Sequence, residues 1–303
     1  MTLADIEKDY NVFCKSSPSD FMGRASKLWN WCKSLIDDGQ NDEAWFKSLD
    51  AFYYSFLDNR HYNGFEVFSF RSFDENGYAL EDIKNGTMSL VHPDMFNDPF
   101  DTVLLPWLRL RVKKFKDNTT SKELACMMLR RADALKARCF VRTSPLNNAD
   151  GTPAIKEQQI EKVSPLMWAH YTNSHKGFCI KYTLDDNVAI RDDAAHIFLA
   201  IEEINYISQI DLTADLQMKE ALLVKSKEWE YEHEVRAILF NPNEKKMVTV
   251  VKAPKMSAIY LGLRCSSSDR QKMIEALREK NTPLYQMCFN SKNANLLYPE
   301  RIG

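Results

Sequence analysis

Three glutamates, Glu230, Glu232 and Glu234, alternate along the stretch WEYEHEVR (229–236), and Arg236 extends the series. On an extended strand, alternate side chains point the same way. Three carboxylates and one guanidinium would then share a face, with Trp229, Tyr231, His233 and Val235 on the other. Carboxylates held this close raise one another's proton affinity. They are tolerable if Arg236 and a cationic ligand share the face. The chemistry on offer is proton transfer and stabilisation of a developing positive charge. Two plainer arrangements use the same residues. One is a set of cross-strand ion pairs worth ~0.2–1 kcal/mol. The other is a helix end on which Glu230 and Glu234 are solvated neighbours four apart.

Other residues of chemical interest lie earlier: Arg71 in FSFRS (68–72), Ser89 in TMSLVH (87–92), Asn97 and Asp98 in FNDPFD (96–101), and His170 and Tyr171 in WAHYTNSH (168–175). An arginine fork grips a pyrophosphate or a carboxylate in a bidentate manner. Tyr171 can stack on a flat ring or fill a core. Asn97 and Asp98 before Pro99 make a turn. His170 and His175 are five apart, about 140° around a helix, so they cannot chelate one metal from a regular helix.

Composition removes several alternatives. The 303 residues carry a net charge of −2, so the whole surface is not a glove for nucleic acid. A local exception is 109–142, with eleven Lys/Arg against three acids, which reads as a solvated helix face or a basic wall for phosphates. The nine glycines form no G-x-G-x-x-G turn and no P-loop. The seven cysteines are scattered with no C-x-x-C spacing, the pattern of free thiols in a reducing cytoplasm. The N-terminal residues lack a basic region followed by an apolar stretch, and no apolar run reaches the ~18 residues of a membrane span. A cytoplasmic protein without membrane contact is expected, its oligomeric state left open.

The elements that must position these residues follow from periodicity. Helices are expected in a segment covering 1–62, with Ser19 or Asp20 as an N-cap and Gly39 closing one helix. Residues 63–303 read as a mixed α+β domain rather than a regular βαβ series. Strands are expected near 65–71, 87–91, 137–142, 177–182, 196–206, 234–240, 247–252, 257–261 and 284–289. Helices are expected at 78–86, within 104–135, from Pro165, at about 211–228 and at 266–280, with 145–162 as a loop.

The clusters FSFRS, FNDPFD, WAHYTNSHKGFCIKY (168–182) and WEYEHEVR resemble, in order and spacing, a widespread bacterial family of uncharacterised domains. The resemblance spans about 65–290. Ser69 stands where the family pattern has lysine, Asp101 where it has glutamate, and the 145–162 loop is longer. Arg71 on a strand, a helix, Ser89 on a second strand and a late Glu232-x-Glu234 are also similar to the ADP-ribosyltransferase fold. That resemblance implies mixed sheets with packed helices and NAD held as a substrate in a cleft between two small sheets. It implies Arg71 and Ser89 as NAD-binding residues, with His170, Tyr171, Asn97 and Asp98 shaping the cleft. It makes Glu234 the catalytic carboxylate and Glu232 its helper. The function implied is an NAD-consuming transferase or glycohydrolase, such as a toxin or anti-phage effector acting on protein or nucleic acid. The alternatives are a non-catalytic binding module and a nuclease with Mg²⁺ on Glu230, Glu232, Glu234 and Asp98.

Overall fold

The computed structural model describes residues 20–56, 62–96, 98, 101–115, 118–146, 155–185, 191–212 and 218–303. Asn97, Pro99, Phe100, residues 147–154 of the 145–162 loop and the first part of the N-terminal segment lie outside the described residues.

Two helices open the described chain, α1 (Phe21–Asp37) and α2 (Asn41–Phe56). The Asp20 carboxylate caps α1 by accepting from Gly23 N at 2.9 Å, and Gly39 turns the chain with φ +76°. The aromatic, β-branched segment beyond 65 becomes β1 (Glu66–Arg71). Then come α3 (Tyr78–Asn85), closed by a left-handed Gly86, and β2 (Thr87–Val91). The basic segment supplies α4 (Leu104–Lys114), α5 (Thr119–Ala132) and β3 (Leu135–Phe140). It is no single wall. Arg109 pairs with Asp94, Arg131 bonds Ser48 and the Trp45 carbonyl, and Lys136 and Arg142 are buried.

Pro165 begins α6 (Pro165–Tyr171), with Ser164 Oγ accepting from Leu166 N. β4 (Phe178–Thr183), β5 (Arg191–Asp192), β6 (Ile197–Glu203) and β7 (Asn205–Ile207) follow. Of the helix expected over 211–228, residues 213–217 lie outside the described residues; α7 (Met218–Leu223) is helical and passes directly into β8 (Val224–Ser226), which replaces the expected helix end. The chain closes with β9 (Val235–Phe240), β10 (Val248–Lys252), β11 (Lys255–Leu261), α8 (Ser267–Ala276), β12 (Leu284–Asn290) and β13 (Asn293–Arg301). The architecture is α+β, as expected. Strands β5, β8 and β13 were not legible in the sequence. The first two are too short to show alternation, and β13 begins in a polar, asparagine-rich run.

One sheet has the order β1-β4-β11-β12-β13 and the other β10-β2-β3-β9-β6-β5. Their facing sides share a core that includes Val67, Phe178 and Ile180 from the first, and Leu199, Val235 and Leu239 from the second. The far side of the second sheet is covered by α2, α4 and α7, through Phe52, Phe56, Trp107, Leu108 and Leu222 against Phe198, Ile238 and Phe240. The helical extension therefore completes a core of the main domain. Each such ring contributes about 1.5–3 kcal/mol by burial.

Two features of this frame matter for a site. First, β2 and β3 register at one pair, Val91 with Ala137. Beyond it no pair joins Ser89 to Cys139, and the sheet parts. Second, the turn from α6 to β4 runs through three consecutive non-glycine residues in the left-handed region, Asn173, Ser174 and His175. That conformation costs roughly 1–2 kcal/mol per residue. Bonds from Ser174 N to the Ala169 carbonyl (3.2 Å) and His175 N to the Trp168 carbonyl (3.0 Å) hold the turn. The His175 ring also stacks on Trp168. Gly177 follows, tucked against β1, where a Cβ would overlap the Arg71 carbonyl oxygen. Because that obstacle is backbone, Gly177→Ala is expected to lower stability by about 1–3 kcal/mol or more. A chemical denaturation midpoint checks it, and an unchanged midpoint would contradict the close approach.

Candidate active site

A cleft of about 270 Å³ opens where β2 and β3 part. Its walls include Ser69 and Phe70 of β1, Ser89 of β2, and Arg138 and Cys139 of β3. Tyr171 of α6 and the charged residues Asp101, Lys225, Glu232 and Glu234 also line it. Arg138 and Cys139 are consecutive and point to opposite faces of β3. Both reach the cleft because it lies in the gap between strands rather than on one face.

The opening stretch is not one extended strand. Lys227–Glu232 form a 3-10 turn, His233 takes a left-handed conformation at φ +41°, and β9 begins only at Val235. With three residues per turn, Glu230 and Glu232 diverge. Glu230 is exposed, whereas Glu232, Glu234 and Arg236 are buried. The expected face of three carboxylates is corrected to a buried pair with an arginine.

A third carboxylate and a lysine complete the group. Lys225 Nζ lies 2.7 Å from Asp101 Oδ1, 2.7 Å from Glu232 Oε2 and 3.0 Å from Glu234 Oε2. Arg236 Nε donates to Glu234 Oε1 at 2.6 Å, and its other nitrogens donate to the carbonyls of Leu222 (2.8 Å) and Asp101 (2.6 Å). The Tyr171 hydroxyl donates to Glu232 Oε1 at 2.8 Å. Neither Lys225 nor Asp101 was expected from the sequence. Lys225 follows the predicted helix without periodic signal, and Asp101 stood out only as a departure from a motif.

The two glutamates diverge in proton affinity. Burial alone would raise Glu234, but Arg236 and Lys225 outweigh it and hold the carboxyl at about 2. Burial dominates at Glu232, with Glu234 adding to it and Lys225 opposing, and the carboxyl moves upward. Asp101 is raised for the same reasons. Burial disfavours the Lys225 ammonium, but Glu234, Glu232 and Asp101 more than compensate and keep it charged. Paired carboxyls with opposite shifts are a recurrent signature of acid–base assignments. Cys139, beside Glu234, is pushed up chiefly by burial and stays a thiol.

The other predicted residues divide. Ser89 and Tyr171 line the cleft. Arg71, expected to grip NAD, is outside the lining and pairs with Asp82 at 2.9 Å. Asp82 of α3 also accepts from Thr87 Oγ1, Ser89 N and Ser89 Oγ, which fills its acceptor sites. His170 is exposed, its ring 5.8 Å from that of Trp229, and does not line the cleft. Asp98 is outside the lining, and its carbonyl accepts from Asp101 N at 3.1 Å. Among the described residues no group of three His, Cys, Asp or Glu is placed to hold a metal ion. At the convergence of Asp101, Glu232 and Glu234 sits the Lys225 ammonium. Also among them, no helix is long and apolar enough to cross a membrane.

The fold and cleft define an α+β protein with a buried acid–base cluster in a sheet gap. Residues 167–237 of this chain match a family described as a protein of unknown function, DUF2971. The match agrees with the resemblance read from the motifs and brings no activity with it. It contains Tyr171, Lys225, Glu232, Glu234 and Arg236, while Ser69, Ser89, Asp101 and Arg138 lie outside it. No curated protein and no solved structure matches the chain.

Breaking a buried ion pair leaves its partner uncompensated, so Glu234→Gln is expected to destabilise by about 3–5 kcal/mol. Glu234 is depressed in the fold, so its contribution is complete above roughly pH 5 and lost as pH falls toward 2. Glu232 and Asp101, shifted upward, favour the protonated fold and make this acid limb shallower. Thermal unfolding should therefore depend less on pH between roughly 5 and 2 in Glu234→Gln than in wild type. Equal slopes would count against the assigned pairing.

Proposed function

We propose that the cleft binds NAD and that the protein is an NAD-consuming enzyme of the ADP-ribosyltransferase type, passing ADP-ribose to a protein or nucleic-acid acceptor or to water. The observation that carries this reading is the buried Glu232/Glu234 pair, opening on the cleft with opposite shifts in proton affinity.

Cleavage of the nicotinamide–ribose bond sends the bonding electrons to the nicotinamide nitrogen and leaves oxocarbenium character on the ribose. With every group ionised, Asp101, Glu232 and Glu234 outweigh Lys225 and Arg236 by one negative charge. That excess favours the transition state over the ground state, because positive charge at the sugar carbon is greatest there. Glu234 supplies fixed charge. Glu232 carries the more basic carboxylate, and it accepts the proton of the attacking hydroxyl as the new bond forms. This exchanges the roles expected from the sequence, where Glu234 was the reacting group. Tyr171 and Phe70 offer flat surfaces to a ring. At about 270 Å³ the cleft falls just below the ~300–1,000 Å³ of ligand pockets, so it would take one mononucleotide half of NAD rather than the whole.

Incubation with NAD and chromatography of free nicotinamide tests the reading. Glu232→Gln keeps the hydrogen-bonding shape and should lower kcat and kcat/KM together by roughly 10²–10³. If wild-type protein releases no nicotinamide, with or without protein and nucleic-acid acceptors, the proposal is overturned.

A further inference from the structure

We propose that Arg138, with Ser69, forms a phosphate subsite of the cleft, so that its ligand is a phosphorylated nucleoside whose sugar faces the carboxylate cluster. The nucleoside's identity rests on the NAD reading above; the phosphate rests on the geometry alone.

Arg138 lines the cleft, and its NH2 nitrogen donates to Ser69 Oγ at 2.6 Å. Among the described residues it has no carboxylate within ion-pair distance. The charged groups around it are already matched: Arg71 to Asp82, Arg236 to Glu234, and Lys225 to three carboxylates. Asp82, the carboxylate that acts on Arg138 through space, has its oxygens taken by Arg71, Thr87 and Ser89. Burial, and then the neighbouring Arg71, lower the Arg138 guanidinium to about 10, which still leaves it charged at neutral pH. Arg138 is half-buried, and a partly desolvated cation without a counter-ion carries a cost that a bound anion removes.

Hydrogen-bond polarity agrees. Ser69 Oγ accepts from Arg138, so its own proton is free to donate into the cleft. Ser89 Oγ gives its proton to Asp82 and turns lone pairs outward. One end of the cleft therefore offers donors and positive charge, because Asp82 is paired with Arg71 and, among the described residues, Arg138 bonds only the Ser69 hydroxyl. The other end offers acceptors and one unit of negative charge. A 5′-phosphate answers the first end through the guanidinium fork. Sugar hydroxyls and a pyridinium ring answer the second.

Calorimetry with nicotinamide mononucleotide and nicotinamide riboside, which differ only in the phosphate, tests this. Wild-type protein should bind the mononucleotide roughly 10–100-fold more tightly, the range of charge-assisted hydrogen bonds. Arg138→Met should erase that advantage while leaving the riboside unaffected, and Ser69→Ala should shrink it if Arg138→Met fails to fold. Inorganic pyrophosphate should compete with the mononucleotide. Equal affinities in wild type, binding of neither compound, or an advantage that survives Arg138→Met in folded protein would each overturn the subsite. A phosphate advantage without nicotinamide release from NAD would keep the subsite and remove the NAD-cleavage reading. Release from NAD with a KM unchanged in Arg138→Met would do the reverse.

Discussion

The Lys225 ammonium, buried with three carboxylates drawn onto it, is the constraint on which the rest of the site depends. Each charge in that group is tolerable only because the others are present. The group ties together four stretches of chain. Asp101 comes from the segment before α4, Lys225 from β8, Glu232 from the 3-10 turn, and Glu234 and Arg236 from the junction into β9. Arg236 adds direct bonds to the Leu222 and Asp101 carbonyls. None of the four can shift without leaving an unmatched buried charge. This explains how a three-residue strand and a six-residue 3-10 turn are held in place without long hydrogen-bond ladders of their own.

The sheet gap matters equally. Had β2 and β3 zipped along their length, Arg138 would face the inter-sheet core and Cys139 the helical side, with no common cavity. Parting after Val91 and Ala137 lets both faces of β3 contribute to one wall. The first sheet closes this opening through Ser69 and Phe70, held by the Phe68–Val141 bridge, whose two N–H···O bonds are 2.8 Å each.

Much of the frame could be read from the sequence, and the reasons are local. Aromatic and β-branched runs marked β1, β4 and β11, and Gly39, Gly86 and Pro165 marked helix ends, because these signals act within a few residues. Glu232, Glu234 and Tyr171 were singled out by residue type and spacing and Ser89 by the fold resemblance, and all four line the cleft. What the sequence hid was set by tertiary contacts. Alternation in WEYEHEVR suggested a strand, but a left-handed His233 and the pull of Lys225 made a turn. Arg71 looked like a ligand residue until α3 presented Asp82. Arg138 was lost among the basic residues of 109–142, since nothing local separates a cation facing a cleft from one facing water. A basic residue inside a short apolar strand, Lys-Ala-Arg-Cys-Phe at 136–140, was the one signal available.

The cleft's two walls come from distant parts of the chain, Ser69 and Ser89 early, Glu232 and Glu234 late. On a ribosome adding about 5–20 residues per second, roughly 8–30 s separate the synthesis of Ser69 from that of Glu234. During that interval the nascent chain has one wall and no acid–base pair. β3 also waits for β9, its principal partner, whose six-residue register is completed only at Phe240. The finished cleft, and any ligand it takes, is therefore withheld from the translating cell until Phe240 has emerged.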